Sequence, residues 1–343
     1  MLTLSEFDTF SKKYLLDWEQ RSTVRTGKRS RLNKEVISKV EFSLHLKPFL
    51  QYPEIRAFTP EELHPYYLQA LCDMLYGVAH FEVDFVTDQC GKLANKDLGI
   101  ELSAAIKQVA IAIGTDEMYH AFAARELLAD IEEFTGVIPT VLQQSTQEQP
   151  QQVLAESDPK VEPRLMPLEY FKTSVPPALE RIAETTLLCI LENAVVDDLF
   201  EMAKDFEVVN PVAVYNREHI QDEGRHKVFF QRLLKYIWGA ISEEDRVVLG
   251  KAIAGYFKKY MSHSREELER AFSKSLQKLP LSESAIQSIA AQVANEMLAK
   301  PFYQKDFTKN PMHLMGFAGV TEHAPTRELF LNLGLLAESL ELA

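Results

Sequence analysis

The sequence predicts an all-α protein, and three observations carry that prediction. Apolar residues recur every three or four positions through long segments, which is the spacing of a buried helix face. No stretch shows the sustained alternation expected of a half-buried strand. Glycine is scarce, 13 in 343 residues, while Ala, Leu and Glu, all good helix formers, fill the long segments.

The elements follow in order. Residues 4–19 read as a short amphipathic helix, followed by a basic, turn-rich segment holding Arg21, Arg25, Lys28, Arg29, Arg31 and Lys34. That segment is either a solvated loop or a docking patch for an acidic partner or a phosphate. The first long helix starts at Pro60, with Thr59 as N-cap and Glu62 at capping-box spacing. It is expected to run to Cys90 and stop at Gly91, with Leu71, Leu75, Val78, Glu82 and Phe85 in its inward stripe. A second helix over 99–134 ends at Gly136, and its inward face carries Ile106, Ala110, Ile113, Glu117, His120 and Ala124. Residues 137–168, rich in Gln and Pro, read as an irregular crossover. A third helix is expected over 175–207 and a fourth over 212–239. Ser242 then caps a helix reaching about 260, and further helices are expected at 264–278, 282–299 and 325–341. The Pro-, Gly- and aromatic-rich stretch 300–324 is expected to pack irregularly between the last two. At this length the chain has room for one large domain or two. The reading is one all-α domain: a helix and basic segment over 1–59, a central bundle over 60–240 and accessory helices over 241–343.

Composition narrows the function. A formal net charge of −13 argues against non-specific binding to nucleic acid or an anionic membrane. Three scattered cysteines, Cys72, Cys90 and Cys189, form neither a disulfide framework nor a zinc knuckle and suit a reducing compartment. The first twenty residues carry charges throughout, with no signal-peptide core, and no apolar run approaches the ~20 residues of a membrane span. A soluble, cytoplasmic protein is expected.

The chemistry gathers in Tyr215–Phe230, YNREHIQDEGRHKVFF. His219, Glu223 and His226 stand at i, i+4 and i+7, on one helix face. Buried charge must be paired, hydrogen-bonded or bound to metal, so metal ligation is the first hypothesis. Glu223-x-x-His226 has a counterpart, Glu117-x-x-His120, on the second helix. Glu82 and Glu192 each lie on the helix before one of these motifs. The same half-site, a Glu helix followed by an E-x-x-H helix, is therefore written twice, the arrangement of ferritin-like dimetal bundles. Each residue also has a bland reading: Glu82 as a salt-bridged helix residue, Glu192 as a surface glutamate, His219 as a core histidine or a neighbour of the ligands. Carboxylates and imidazoles without thiolate suit Fe or Mn. Asp84, Asp116, Asp197, Asp198 and Asp222 lie next to the ligand faces, and some of them are expected to accept from the histidine N–H groups. Glu126, Glu184, Glu218 and His80 are read as facing solvent or helix neighbours. Met118, Tyr119, Phe122 and Phe229 are read as core, and Tyr215 as approaching the site without being catalytic.

The pattern Glu82, Glu117-x-x-His120, Glu192, His219-x-x-x-Glu223-x-x-His226 resembles the non-haem di-iron N-oxygenases typified by p-aminobenzoate N-oxygenase. The extra histidine one turn before the last E-x-x-H separates that family from other ferritin-like enzymes. The resemblance covers about residues 60–240 and fills all seven of the family's ligand positions. It implies two Fe ions that activate O2 and oxidise a primary amine to a hydroxylamine, nitroso or nitro product. It also implies an external electron donor, since no nucleotide-binding fingerprint is present, and a homodimer. No Lys or Arg lies between Arg56 and Lys92, where the family holds an aromatic carboxylate. An aliphatic amine or amino acid, free or on a carrier protein that contacts the basic 21–34 segment, therefore competes with an arylamine. Three rivals remain at this stage: a di-iron oxygenase acting at carbon, an iron-handling protein, and a structural protein with fortuitous motifs.

Overall fold

The computed structural model describes residues 2–26, 31–38, 48–142, 166–194 and 211–337, and among these there is helix but no strand. The N-terminal region holds α1 (Leu4–Arg21) and the single turns α2 (Thr23–Thr26), α3 (Lys34–Ile37) and α4 (Pro53–Arg56). α5 (Pro60–Phe81) passes through a π-helical turn (Glu82–Thr87) into α6 (Asp88–Asn95). α7 (Ala104–Thr135) follows, then α8 (Met166–Ser174), α9 (Glu180–Ala194) and α10 (Pro211–Ala240). The C-terminal part comprises α11 (Glu243–Tyr256), α12 (Arg265–Leu276), α13 (Glu283–Ala299), α14 (Asp306–Ala318) and α15 (Ala324–Asn332).

Helix starts are set by side chains that accept the first free N–H groups. Thr59 accepts from Glu62 N while Glu62 returns the bond, with Pro60 in the first turn. Ser103 caps α7, and Gly136 ends it at φ 73°, a conformation only glycine adopts without strain. Ser242 accepts from Asp245 N to start α11.

Several expected boundaries move. The first ligand helix runs through Gly91 to Asn95, because a glycine inside a packed helix costs only about 1 kcal/mol and Cys90 and Leu93 on either side are buried. Ala79 takes the inward position expected of Val78, which is half-buried. The second helix begins at Ala104, not 99, because Ser103 supplies the cap. The end of the expected crossover, from Met166, belongs to α8. Within the expected irregular stretch 300–324 lies α14, which holds Pro311 in its interior; Met312, Leu314 and Met315 are fully buried there, and their packing outweighs the lost backbone bond. α15 stops at Asn332. Residues 143–165 and 195–210, with Val195, Asp197, Asp198 and Leu199, lie outside the described residues, as do Lys28 and Arg29.

Two apolar cores frame the site. One takes Leu71, Leu75 and Ala79 of α5, Ala121 to Ile131 of α7 and Val212 and Tyr215 of α10. The other takes Val86 and Cys90, Ile106 to Ile113 of α7, Leu188 of α9 and Phe229 to Ile237 of α10. Between them each long helix presents its carboxylates and imidazoles, so the polar residues form one layer across the packed helices. α5 and α6 pack on α7, and α9 packs on α10; the two pairs meet where α7 lies against α10 and α6 against α9. α1 lies across both α7 and α10.

The described arginines of the basic segment pair with acidic residues of their own chain while staying half or more exposed. Arg31 forks onto Asp130 of α7, whose other oxygen takes the Leu32 N–H at 2.8 Å. Arg21 lies 3.2 Å from Asp17 and Arg25 2.6 Å from Glu19. A carrier docking there would compete with these pairs.

Candidate metal centre

All seven residues singled out by spacing converge. Glu82, Glu117, His120 and His219 form one buried group, and Glu117, Glu192, Glu223 and His226 a second. Within each group the donor atoms all lie within 4.8 Å of one another. Donors on opposite sides of one ion, with bonds of about 2.1 Å, stand about 4.2 Å apart, so each group is within a small contraction of coordination. Each of the seven is 4 % exposed or less.

Helix geometry explains the convergence. On α7 and α10 the i, i+3 spacing puts each Glu and His on one stripe. On the first ligand helix Glu82 opens the π-helical turn, the widened turn that recurs at functional sites. The structure thus breaks the regular helix where its ligand stands, which periodicity alone could not reveal.

The distances show how the groups share Glu117. Its Oε2 lies 3.3 Å from His120 Nδ1, and its Oε1 lies 2.9 Å from His226 Nδ1. Each oxygen faces a different group, the posture of a bridging carboxylate. Glu223 differs in using one oxygen: its Oε1 lies 3.3 Å from His219 Nε2 and 3.4 Å from His226 Nδ1. His219 Nε2 also stands 3.0 Å from Glu82 Oε1.

Each E-x-x-H histidine is held by the aspartate just before the other motif. His120 Nε2 meets Asp222 at 3.0 Å, and His226 Nε2 meets Asp116 at 3.2 Å. With Nε2 turned to the aspartates, both imidazoles present Nδ1 to the centre, where it can ligate once its own proton has left. The aspartates are held in turn from the N-terminal helices. Trp18 Nε1 donates to Asp116 at 2.9 Å and Ser22 donates beside it. Thr23, through its backbone N–H and its hydroxyl, and Arg225 donate to Asp222. Trp18, Ser22, Thr23 and Arg225 escaped the sequence reading; the first three lie almost a hundred residues or more from what they hold, and no local signal marks them. Asp116 and Asp222 were legible as acceptors, whereas Asp84 spends its charge on His80 at 3.0 Å. Glu184 is buried against Arg181, 2.7 Å away, and Glu126 faces Arg31 at 3.6 Å. Met118 and Phe122, expected in the core, lie on the outer face of α7, 48 % and 45 % exposed, because the Glu117–His120 stripe takes the inward side.

The electrostatics are those of a cluster short of positive charge. Burial drives the Glu192 carboxyl well above the usual range, and Glu223 and Glu117 add to it. Burial also lifts Glu82 to about 7, moderated by His219. Burial opposes the charge of Glu223 and Glu117 as well, yet His226 and its neighbours hold both below the ordinary range. Burial and His120 push His219 down, but Glu82 and Glu223 more than offset them and raise it to about 9. His120 and His226 are raised against burial by the carboxylates around them.

These residues fit a pair of metal ions. Glu82 Oε2, Glu117 Oε1, Glu192 Oε2, Glu223 Oε2, His219 Nδ1 and His226 Nδ1 are all buried without a hydrogen bond. Although Glu117 Oε1 and His226 Nδ1 are only 2.9 Å apart, they are not aligned as donor and acceptor, and a shared ion between them accounts for that. Each buried, uncompensated ion costs several kcal/mol, so an apolar layer would be more stable here. The oxygen and nitrogen donor set, without thiolate, suits Fe or Mn.

Replacing Asp116 or Asp222 by Asn is expected to lower metal affinity by about 10- to 100-fold, since each orients a ligating imidazole. Competition against a chromogenic chelator measures it, and unchanged affinity in both variants would refute the bracing role.

No family model matches the sequence, and no curated protein matches it. The fold and the site together define an all-helical protein with a buried Glu/His centre suited to metal. No helix among the described residues is long and apolar enough to cross a membrane.

Proposed function

We propose that this chain is a di-iron oxygenase that uses O2 to oxidise the nitrogen of a primary amine to a hydroxylamine, nitroso or nitro product. The observation that carries the reading is the pair of buried Glu/His groups joined through Glu117. On this reading α5 with its π-helical turn, α7, α9 and α10 are the four helices of a ferritin-like core. Glu82, His120 and His219 would hold one iron, Glu192 and His226 the other, with Glu117 and Glu223 between them. The bound pair supplies O2 activation; the chain supplies the geometry and the surroundings. Asp116 and Asp222 keep the imidazole protons on Nε2. The apolar cores on both sides exclude water, which strengthens every charge interaction inside. Electrons come from an external donor. The substrate is an amine or amino acid, free or carrier-bound, and the protein works as a homodimer in the cytoplasm.

Anaerobic loading with Fe(II), metal analysis and then an O2 pulse with a panel of amines test the reading. Two irons per chain, an O2-dependent optical transient and nitrogen-oxygenated products by mass spectrometry are expected. Oxygen found on carbon would move the reading to a carbon oxygenase, and ferric mineral to iron handling. Less than about one metal per chain would remove the di-iron centre altogether.

A further inference from the structure

We infer that Tyr215 guards the way to the centre and holds what arrives: its ring closes the inner end of a surface cleft, and its hydroxyl donates to an acceptor atom of the small molecule bound there. The inference rests on the metal centre proposed above.

Three observations support it. A cleft opens between α7 and α10, lined by Tyr119, Ala123, Leu127, Val214, Glu218 and Tyr215. Two of these reach the centre: Tyr119 lies beside His120 with ring centroids 6.4 Å apart, and Tyr215, the nearer, meets the His219 ring edge-on at 5.4 Å. The second observation is its hydroxyl. Tyr215 is 5 % exposed and its hydroxyl has no hydrogen-bond partner, whereas buried polar groups nearly always have one.

The third observation is the place of Tyr215 on α10, one turn before His219 and on the same face. A phenol is a hydrogen-bond donor, and here it stands without an acceptor beside the His219 edge of the centre. The molecule that fits is compact enough to pass between the two helices and carries a hydrogen-bond acceptor. The walls towards Ala123, Leu127 and Val214 suit an aliphatic body behind that acceptor.

Azide, a small anion that absorbs visibly when bound to ferric iron, is the probe. It is titrated into the oxidised, iron-loaded wild-type chain and into Tyr215→Phe and Tyr215→Ala, with iron content measured in each. Tyr215→Phe keeps the ring, so azide should associate at the wild-type rate but bind about ten-fold more weakly, the worth of one hydrogen bond to a charged acceptor. Tyr215→Ala should speed association several-fold; if that variant loses iron, Tyr215→Leu serves as the smaller-ring-free replacement. Iron-loaded variants that match wild type in both rate and affinity overturn the role of Tyr215 and leave the centre standing. A wild-type chain that takes up no iron overturns the centre and this inference together.

Discussion

Glu117→Gln should reduce metal uptake from two ions per chain to one or fewer while the helical content stays unchanged. Glu117 is the residue common to both groups of donors, and its two oxygens face different histidines, His120 and His226. An amide keeps the shape of the carboxylate but offers one acceptor and no charge. On the proposed dimetal reading, both groups lose a ligand at once and the four-carboxylate balance of two divalent ions is broken. A control sits on α9: Glu184→Gln alters another buried glutamate, one that pairs with Arg181 2.7 Å away and lies outside the centre. Metal analysis after loading, alongside circular dichroism, distinguishes the two. If Glu117→Gln retained two tightly held ions, the bridging geometry and the dimetal reading would both be wrong.

Metal affinity should rise steeply with pH between about 6 and 9. Without metal, Glu82 is raised to about 7 and His219 to about 9, and His120, His226 and Glu192 also hold protons well above their ordinary ranges. Ligands must lose those protons to bind, so uptake releases several and each contributes about a factor of ten in affinity per pH unit. The sign for the metal-free chain is opposite. Groups whose folded pKa is raised stabilise the fold below their unfolded values and lose that contribution as pH rises through the folded ones. For Glu82 the loss is spread up to about 7 and for His219 up to about 9. Glu117 and Glu223, held low, add stability that disappears only as pH falls into the acid range. The metal-free protein should therefore be most stable in weakly acidic solution, and the gain in Tm on adding metal should widen towards pH 9. Calorimetric titrations in buffers of different ionisation heat count the protons. Affinity that stayed flat across this range would contradict the protonated, metal-free cluster.

The seven converging residues were legible because helix periodicity is a local property. Positions three, four and seven apart share a face whatever surrounds the helix, so His219, Glu223 and His226 declared a common direction from spacing alone. The repetition of a Glu helix followed by an E-x-x-H helix then paired the two halves. The same local logic located the starts at Pro60 and Glu243 through their caps, Thr59 and Ser242. It failed at Gly91 and Pro311, whose helix-breaking tendencies are outweighed by buried neighbours, and at Met118 and Phe122, which look like core residues until α7 is rotated by its packing.

What the amino-acid sequence determined by itself was therefore the all-helical architecture and the identity of the converging carboxylates and imidazoles. Only the tertiary structure decided how they are held. The π-helical turn at Glu82 is one device that holds them; the crossed braces from Asp116 to His226 and from Asp222 to His120, and the Trp18, Ser22 and Thr23 bonds that fix those aspartates, join residues far apart in the chain. Such partners carry no spacing rule. They follow from which face of one helix meets which face of another, and that is settled by burying apolar surface on both sides of the polar layer.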